Sequence, residues 1–404
     1  MKLLTIKINI FVLILFLLTD ISCQGLLHKN DFHYEIPEHM NDGLVTGAAW
    51  EAGVDTSNLI HAVNAIKKGK HNEVHSMLIY KNNKLVFEEY FKGHEYKWDG
   101  PHYCGNLVQW TPEMRHPIMS CTKSITSACI GIAIEKGFIK DVHQSIFDYL
   151  PEHQHLKTNN KNYITIEHLL TMSCGLAWDE WSAAHGGDFT YDIDRLYTVD
   201  DQIAAVLERE WWAEPGAFFT YNGGGMVVLG EILKNASGMD IEEFANTYLF
   251  ASLGIDSTPW MHYKNGRIES AGSLSLTPRE MVKFGTCYLN KGVWNNKRIV
   301  PAAWVTKSSA PYNNNHDIKV PIEDSGLNGY AYTWWISELD HNGKKIKMYR
   351  ANGWGGQAIM VFPELEMVVV FTGGNWAKKS TLYKIVEKYV LPAVSEYNQL
   401  KTKS

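Results

Sequence analysis

The 404-residue chain has no excess of positive charge: 38 Lys and Arg stand against 44 Asp and Glu, a net charge of −6. That balance excludes a surface built to grip nucleic acid or anionic lipid, and a small-molecule partner is the better expectation. Long apolar runs are missing too. Ile10–Leu18 is too short for a bilayer, which needs about 20 apolar residues, and nothing downstream approaches that length, so no integral membrane domain is expected. The six cysteines include no Cys-x-x-Cys pair, and His153, His155 and His185 lack metal-ligand spacing. Those histidines read as surface residues. Cys104, Cys121, Cys129, Cys174 and Cys287 read as buried thiols, and neither a metal nor a cofactor is expected. No internal repeat or low-complexity tract interrupts the chain.

What is present begins with an export signal. Lys2 and Lys7 precede the apolar run, so residues 1–23 read as a segment that directs the protein out of the cytoplasm, to the periplasm, to a membrane anchor or beyond the cell. Cys23 is a candidate for lipid anchoring, although Asp20 stands where such sites usually carry an aliphatic residue. Residues 24–54 read as an N-terminal extension, 55–396 as the folded domain and 397–404 as a tail. With 45% hydrophobic and 20% charged residues, the chain can bury a large core.

Periodicity orders the domain. Asp55–Lys68 has helical spacing, with Leu59, Ala62, Val63 and Ile66 on one face, and Met77–Phe91 reads as two strands around Lys81-Asn82-Asn83-Lys84. From about 120 to 290 the signals are mainly helical: Ser120–Lys136, Ile166–Met172, Asp200–Glu208, Met226–Lys234, Ile241–Leu249 and Pro278–Leu289. Strands return at Ala331–Ser337, Lys345–Ala351, Gln357–Phe362 and Met367–Thr372, and a helix over Lys378–Glu396 closes the pattern. The expectation is an α/β fold in which N- and C-terminal segments build one antiparallel sheet, flanked by helices, around a largely helical middle region.

Ser120 and Lys123 stand three apart at the start of a strongly apolar helix, which places both side chains on one face. A lysine amine there can take the hydroxyl proton only if its pKa, ordinarily about 10.4, falls through desolvation or a neighbouring positive charge. The bare Ser-x-x-Lys pair is a weak signal, and a solvated cap is the alternative. Its context strengthens it, because Ile125, Cys129, Ile130, Ile132 and Ala133 make the helix a buried one. A second proton carrier has three formal candidates. Tyr80 and Tyr312 sit in turn-like surroundings, whereas Tyr221, after Pro215-Gly216, leads into a buried helix near Met226. Gly353, Gly355 and Gly356 interrupt a strand pattern and permit close approach of a ligand, or else mark a plain hairpin bend. His341-Asn342-Gly343 is a hairpin turn signal.

Taken together and in this order, these segments resemble the class C β-lactamase-related group of penicillin-recognising serine hydrolases, which includes family VIII esterases and 6-aminohexanoate-dimer hydrolases. The likeness runs from about Ser76 to Gly374 and takes in Ile164–Leu176, Leu276–Met281 and Phe362-Pro363. The resemblance implies a β-lactamase/transpeptidase-like fold. It also implies Ser120 as acylated nucleophile, Lys123 as its base partner, Tyr221 as second proton carrier, and the amides of Ser120 and Gln357 as oxyanion hole, with Asn222, Trp354, Gly355 and Gly356 at the substrate. Two positions depart from the pattern. Tyr-x-Asn is here Tyr221-Asn222-Gly223, with the amide displaced by one residue, and Trp354 replaces the usual Lys or His that would hold a substrate carboxylate. Arg350 is the nearby residue that could restore a cation.

The expected function is therefore cleavage of an ester or amide through an acyl-enzyme. A β-lactamase or D-amino-acid peptidase of the same fold is the alternative, as is a catalytically silent module that binds cell-wall fragments. The sequence has 14 tryptophans, and Trp110, Trp178, Trp181, Trp211, Trp212 and Trp354 near the motifs read mainly as core residues, with an aromatic platform as the other reading.

Overall fold

The computed structural model describes residues 32–158, 160–181, 192–256, 258–313 and 315–394. The expected export signal at 1–23, Cys23, His185 and the tail lie outside the described residues. No described helix is long and apolar enough to cross a membrane.

Helix α1 (Thr56–Lys67) starts where the Asp55 carboxylate accepts the Ser57 amide, and it buries Leu59, Ala62, Val63 and Ile66. Strands β1 (Val74–Lys81) and β2 (Lys84–Tyr90) follow, joined by Asn82 and Asn83 with φ of 49° and 63°. Asparagine tolerates this left-handed geometry, which a tight hairpin demands. From Glu35 onward the chain belongs to the main folded unit. The stretch ahead of α1 buries Leu44, Ala49 and Val54, and Thr46 bridges Leu85.

The C-terminal strands are β3 (Ile318–Lys319), β4 (Leu327–Ala331), β5 (Trp334–His341), β6 (Lys344–Gly353), β7 (Gln357–Phe362) and β8 (Met367–Gly373). They join the first two in one eight-stranded sheet of order β2-β1-β8-β7-β6-β5-β4-β3. Its strand pairings are antiparallel, and β1 lies between β2 and β8, so both ends of the chain share one sheet. Every residue of β1, β7 and β8 is buried, as expected for central strands covered on both faces. Helix α4 (Pro278–Leu289) covers β1, β7 and β8. Its start carries a Thr277–Glu280 capping box with proline in the first turn.

The middle region centres on α2 (Thr122–Glu135), buried from Thr122 to Ala133, packed against α3 (Gly223–Ser237). Two expectations need correction, and one element was unforeseen. Ala331–Ser337 is a hairpin, not one strand, because the chain reverses at Tyr332-Thr333, where Thr333 takes φ 69° while its amide donates to the Leu170 carbonyl. No Gly or Asn marks this turn. The closing helix begins later than expected and runs without a break over Leu382–Ile385, a wider turn at Val386–Val390, and Leu391–Ala393, its expected end at Glu396 lying outside the described residues. A ribbon of Lys92–Tyr96 against Cys104–Gln109 was not foreseen.

His153 also departs from expectation: it is 3% exposed, with Nε2 2.9 Å from an Asp201 carboxylate oxygen. Cys121, Cys129, Cys174 and Cys287 are buried free thiols, and Cys104 is half-buried.

Candidate active site

The segment before Ser120 is clamped from both sides. His116 and Pro117 pair with Leu276 and Ser275, and the Ile118 amide donates to the Leu274 carbonyl. Met119 then takes φ 48°, an uncommon conformation for a side chain of this size, and Met119–Cys121 forms the tight turn that enters α2. This turn sets Ser120 and Lys123 on one face. Lys123 Nζ donates to Ser120 Oγ at 2.9 Å and to the Ala271 carbonyl at 3.0 Å, and only 3% of the residue is exposed.

Tyr221 closes the constellation. Lys123 Nζ lies 5.0 Å from its ring centroid, and the ring stacks on Trp181 and Trp335 at 5.1 and 6.0 Å. Burial pushes the phenol up from its ordinary value, while the Lys123 charge and hydrogen bonds to Ser120 and Lys123 pull against it. Around Lys123 the balance reverses what the sequence required. Burial lowers the amine, yet Tyr221, Glu180 and Glu269 together outweigh it, and Lys123 is held above its ordinary value as an ammonium.

Glu180 and Glu269 are the residues that sequence reasoning missed. The Trp178 indole donates to Glu180 Oε2 at 2.5 Å, and the Gly223 amide donates to the same oxygen. Glu269 accepts the amides of Ala271 and Gly272 at 2.7 and 2.8 Å. Both carboxyls are pushed up by burial and pulled down by Lys123. The available signals were an acid framed by Trp178 and Trp181, and another just before the small residues Ser270-Ala271-Gly272.

These groups line one cleft of about 260 Å³ together with Trp354, Gly355 and Gly356. The three-residue turn Trp354-Gly355-Gly356 joins Gly353 to Gln357, so the glycines stand in a hairpin bend that is also the cleft wall. Gly355 and Gly356 have φ of 82° and 98°, and a Cβ on Gly355 would lie 2.2 Å from the Trp376 ring. Beside the nucleophile, the Cys121 thiol lies 3.5 Å from the Gln357 carbonyl, which brings the start of β7 against the Ser120 turn.

Two expected placements fail. Asn222 does not reach the cleft: its Oδ1 caps α3 by accepting the Gly225 amide at 2.9 Å, its Nδ2 points to Cys174, and it is 1% exposed. A residue at the helix cap is aimed along the helix axis rather than into the site. Arg350 is fully buried outside the cleft lining, held by Asn328 at 2.9 Å and Glu323 at 3.2 Å. Besides Lys123, the cation that lines the cleft among the described residues is Lys378, exposed at its edge. Trp354 is on the wall, but its Nε1 donates to the Trp376 carbonyl at 2.9 Å. Of the other tryptophans, Trp110 and Trp178 are buried, Trp181 lines the cleft, and Trp212 is 49% exposed. Tyr80 is buried in β1, and Tyr312 faces Glu167, so neither competes with Tyr221.

An antiparallel sheet drawn from both chain ends, with a Ser-x-x-Lys helix start set between that sheet and a helical block, defines the β-lactamase/transpeptidase-like fold of serine hydrolases. A family model described as Beta-lactamase matches residues 63–375, and the chain belongs to that family. The 6-aminohexanoate-dimer hydrolase of Paenarthrobacter ureafaciens is 23% identical over 283 residues, which span 65% of this chain and 66% of that protein. A family VIII carboxylesterase structure superposes with a TM-score of 0.62 at 14% identity, over 88% of this chain and 99% of the other. A penicillin binding protein from Bacillus halodurans gives 0.58 at 18% identity, over 81% and 98%.

Proposed function

We propose that the protein is a serine hydrolase that cleaves an ester or amide through an acyl-enzyme on Ser120. The observation that carries this reading is the 2.9 Å contact of Lys123 Nζ with Ser120 Oγ inside a cleft that also holds Tyr221. Oγ attacks the carbonyl carbon, and its proton enters the Lys123–Tyr221 pair, which returns a proton to the leaving group. Water then attacks the acyl carbon by the reverse proton route and restores Ser120. The amides of Ser120 and Gln357 receive the negative oxygen of each tetrahedral intermediate; the contact between β7 and the nucleophile turn supports this pairing. Trp354, Gly355 and Gly356 are assigned to the substrate because they line the cleft beside these groups. The apolar run Ile10–Leu18 supports export, with Cys23 as a lipid anchor; cell fractionation, and mass analysis for an acylated Cys23, test that part.

With Trp354 at the position of the usual cation, a substrate without a carboxylate is favoured. Lys378 at the cleft edge is the observation on the side of a carboxylate-bearing β-lactam or peptide. A fluorophosphonate is expected to label wild-type protein on Ser120 and to leave Ser120→Ala unlabelled and inactive. Labelling elsewhere, or turnover by the variant, removes the assignment. A protein that does not label at all is the silent binding module.

A further inference from the structure

The turn that forms the cleft wall is built from residues with little stiffness of their own. Gly355 and Gly356 stand at φ of 82° and 98°, and Gly353 precedes Trp354 directly. Glycine enters such conformations without strain, but it also leaves a short segment free to adopt others. The backbone amide that opens β7 at Gln357 can serve an oxyanion only if its position is fixed before the reaction, since a displacement of about 1 Å costs roughly 10²-fold in rate. The turn must therefore be held from outside.

Two buried carboxamides hold it. The register of β7 with β8 runs from Phe362 opposite Met367 to Ala358 opposite Phe371. One step further, the Gln357 side chain acts as a continuation of the ladder: Nε2 donates to the Gly373 carbonyl at 2.7 Å, and Oε1 accepts the Gly373 amide at 3.3 Å. The same Nε2 donates to the Trp354 carbonyl at 3.3 Å, which ties the start of the turn to β8. Asn375 grips the middle of the turn. Its backbone amide and its Nδ2 both donate to the Gly355 carbonyl, at 2.9 and 3.2 Å. Its Nδ2 also donates to the Glu73 carbonyl and its Oδ1 accepts the Glu73 amide, each at 2.9 Å, just ahead of β1. A carboxamide offers two hydrogens and an acceptor oxygen, and in both residues backbone groups take all of them. Gln357 is 0% and Asn375 2% exposed. With no hydrogen left for a ligand, both side chains act on the turn.

We propose that the side chains of Gln357 and Asn375 are positioning residues of this hydrolase, bracing the turn Trp354-Gly355-Gly356 so that the Gln357 amide stands where the oxyanion forms. The inference rests on the reading of that amide as an oxyanion donor. The test compares p-nitrophenyl acetate with its thiono analogue, in which sulfur replaces the carbonyl oxygen. Sulfur is a weak acceptor, so the ratio of kcat/KM for the two esters reads the oxyanion contacts and not stability. Wild type is expected to favour the oxygen ester. In Gln357→Met, which keeps the length without the polar groups, and in Asn375→Ala, kcat and kcat/KM for the oxygen ester are expected to fall together by about 10- to 100-fold, less than the roughly 10²- to 10³-fold for loss of a donor outright, and the oxygen-to-sulfur ratio to fall about tenfold. Circular dichroism melts verify folding, and if one variant fails to fold the other decides. A folded variant of either residue with wild-type kcat and ratio, even at a lowered melting temperature, overturns the proposal. A wild type indifferent to sulfur, or one that turns over neither ester, overturns it as well, and fluorophosphonate labelling of Ser120 in the same samples shows whether the nucleophile assignment still stands.

Discussion

Replacing Glu269 by glutamine tests the proton chemistry most directly, because it removes a charge that acts on Lys123 and leaves the nucleophile untouched. Lys123 is held up as an ammonium, with Glu180 and Glu269 among the causes, and Tyr221 is held protonated by burial. Both carriers therefore hold their protons at neutral pH, and the pair must lose one before Ser120 can be deprotonated. For wild type this predicts a kcat/KM that rises with pH on the alkaline side of neutrality, the limb belonging to the pair and not to either residue. Glu269 grips the amide of Ala271, whose carbonyl receives Lys123 Nζ. Unit charges several ångströms apart attract by a few kcal/mol at an effective dielectric of about 20, enough to move a titration by an amount a pH–rate profile resolves. Loss of an anion disfavours the ammonium, so the amine gives up its proton at lower pH and the limb moves down. The plateau is expected to fall as well, since glutamine can accept from only one of the two backbone amides, but limb position and plateau height are read separately from one pH–rate profile on a p-nitrophenyl ester. An unmoved limb, or one displaced to higher pH, would refute the role given to the acids around Lys123.

The same profile extends to the pair itself. Tyr221→Phe is expected to cost roughly 10²-fold or more in kcat, the low end for a positioned acid–base group, and activity at the wild-type level would shift the proton route to other groups. Lys123→Arg should be nearly inactive toward the ester, because guanidinium does not release its proton in this range. Substrate charge is tested at the cleft edge: Trp354→Lys should raise kcat/KM for a cephalosporin relative to a neutral ester by about tenfold, and Lys378→Ala should lower it. Because Arg350 is fully buried and bound to Asn328 and Glu323, an effect of Arg350→Ala on that ratio larger than that of Lys378→Ala would contradict the placement of both cations.

How far these residues could be read beforehand depended on the range of the forces that place them. Helix α1 and the β1–β2 hairpin follow from periodicity and from Asn82-Asn83, local features that a few neighbouring residues settle. Ser120 and Lys123 were legible for the same reason, since a three-residue spacing on a buried helix start leaves few alternatives. The turn at Tyr332-Thr333 was not, because it carries no residue suited to a positive φ, and its support includes a hydrogen bond to Leu170, more than 160 positions away. Asn222 shows the limit at the site. The motif placed an amide beside Tyr221, and the sequence contains one, but helix capping claimed its side chain and a carboxylate from residue 180 entered the space left by Gly223. The protonation of Lys123 was equally out of reach. Desolvation is legible from the apolar neighbours and points down, while the opposing influences come from Tyr221, Glu180 and Glu269, which only the assembled fold brings to one amine. A spacing rule can therefore nominate a nucleophile and its partner, whereas the charge state on which their chemistry turns is a property of the buried acids around them.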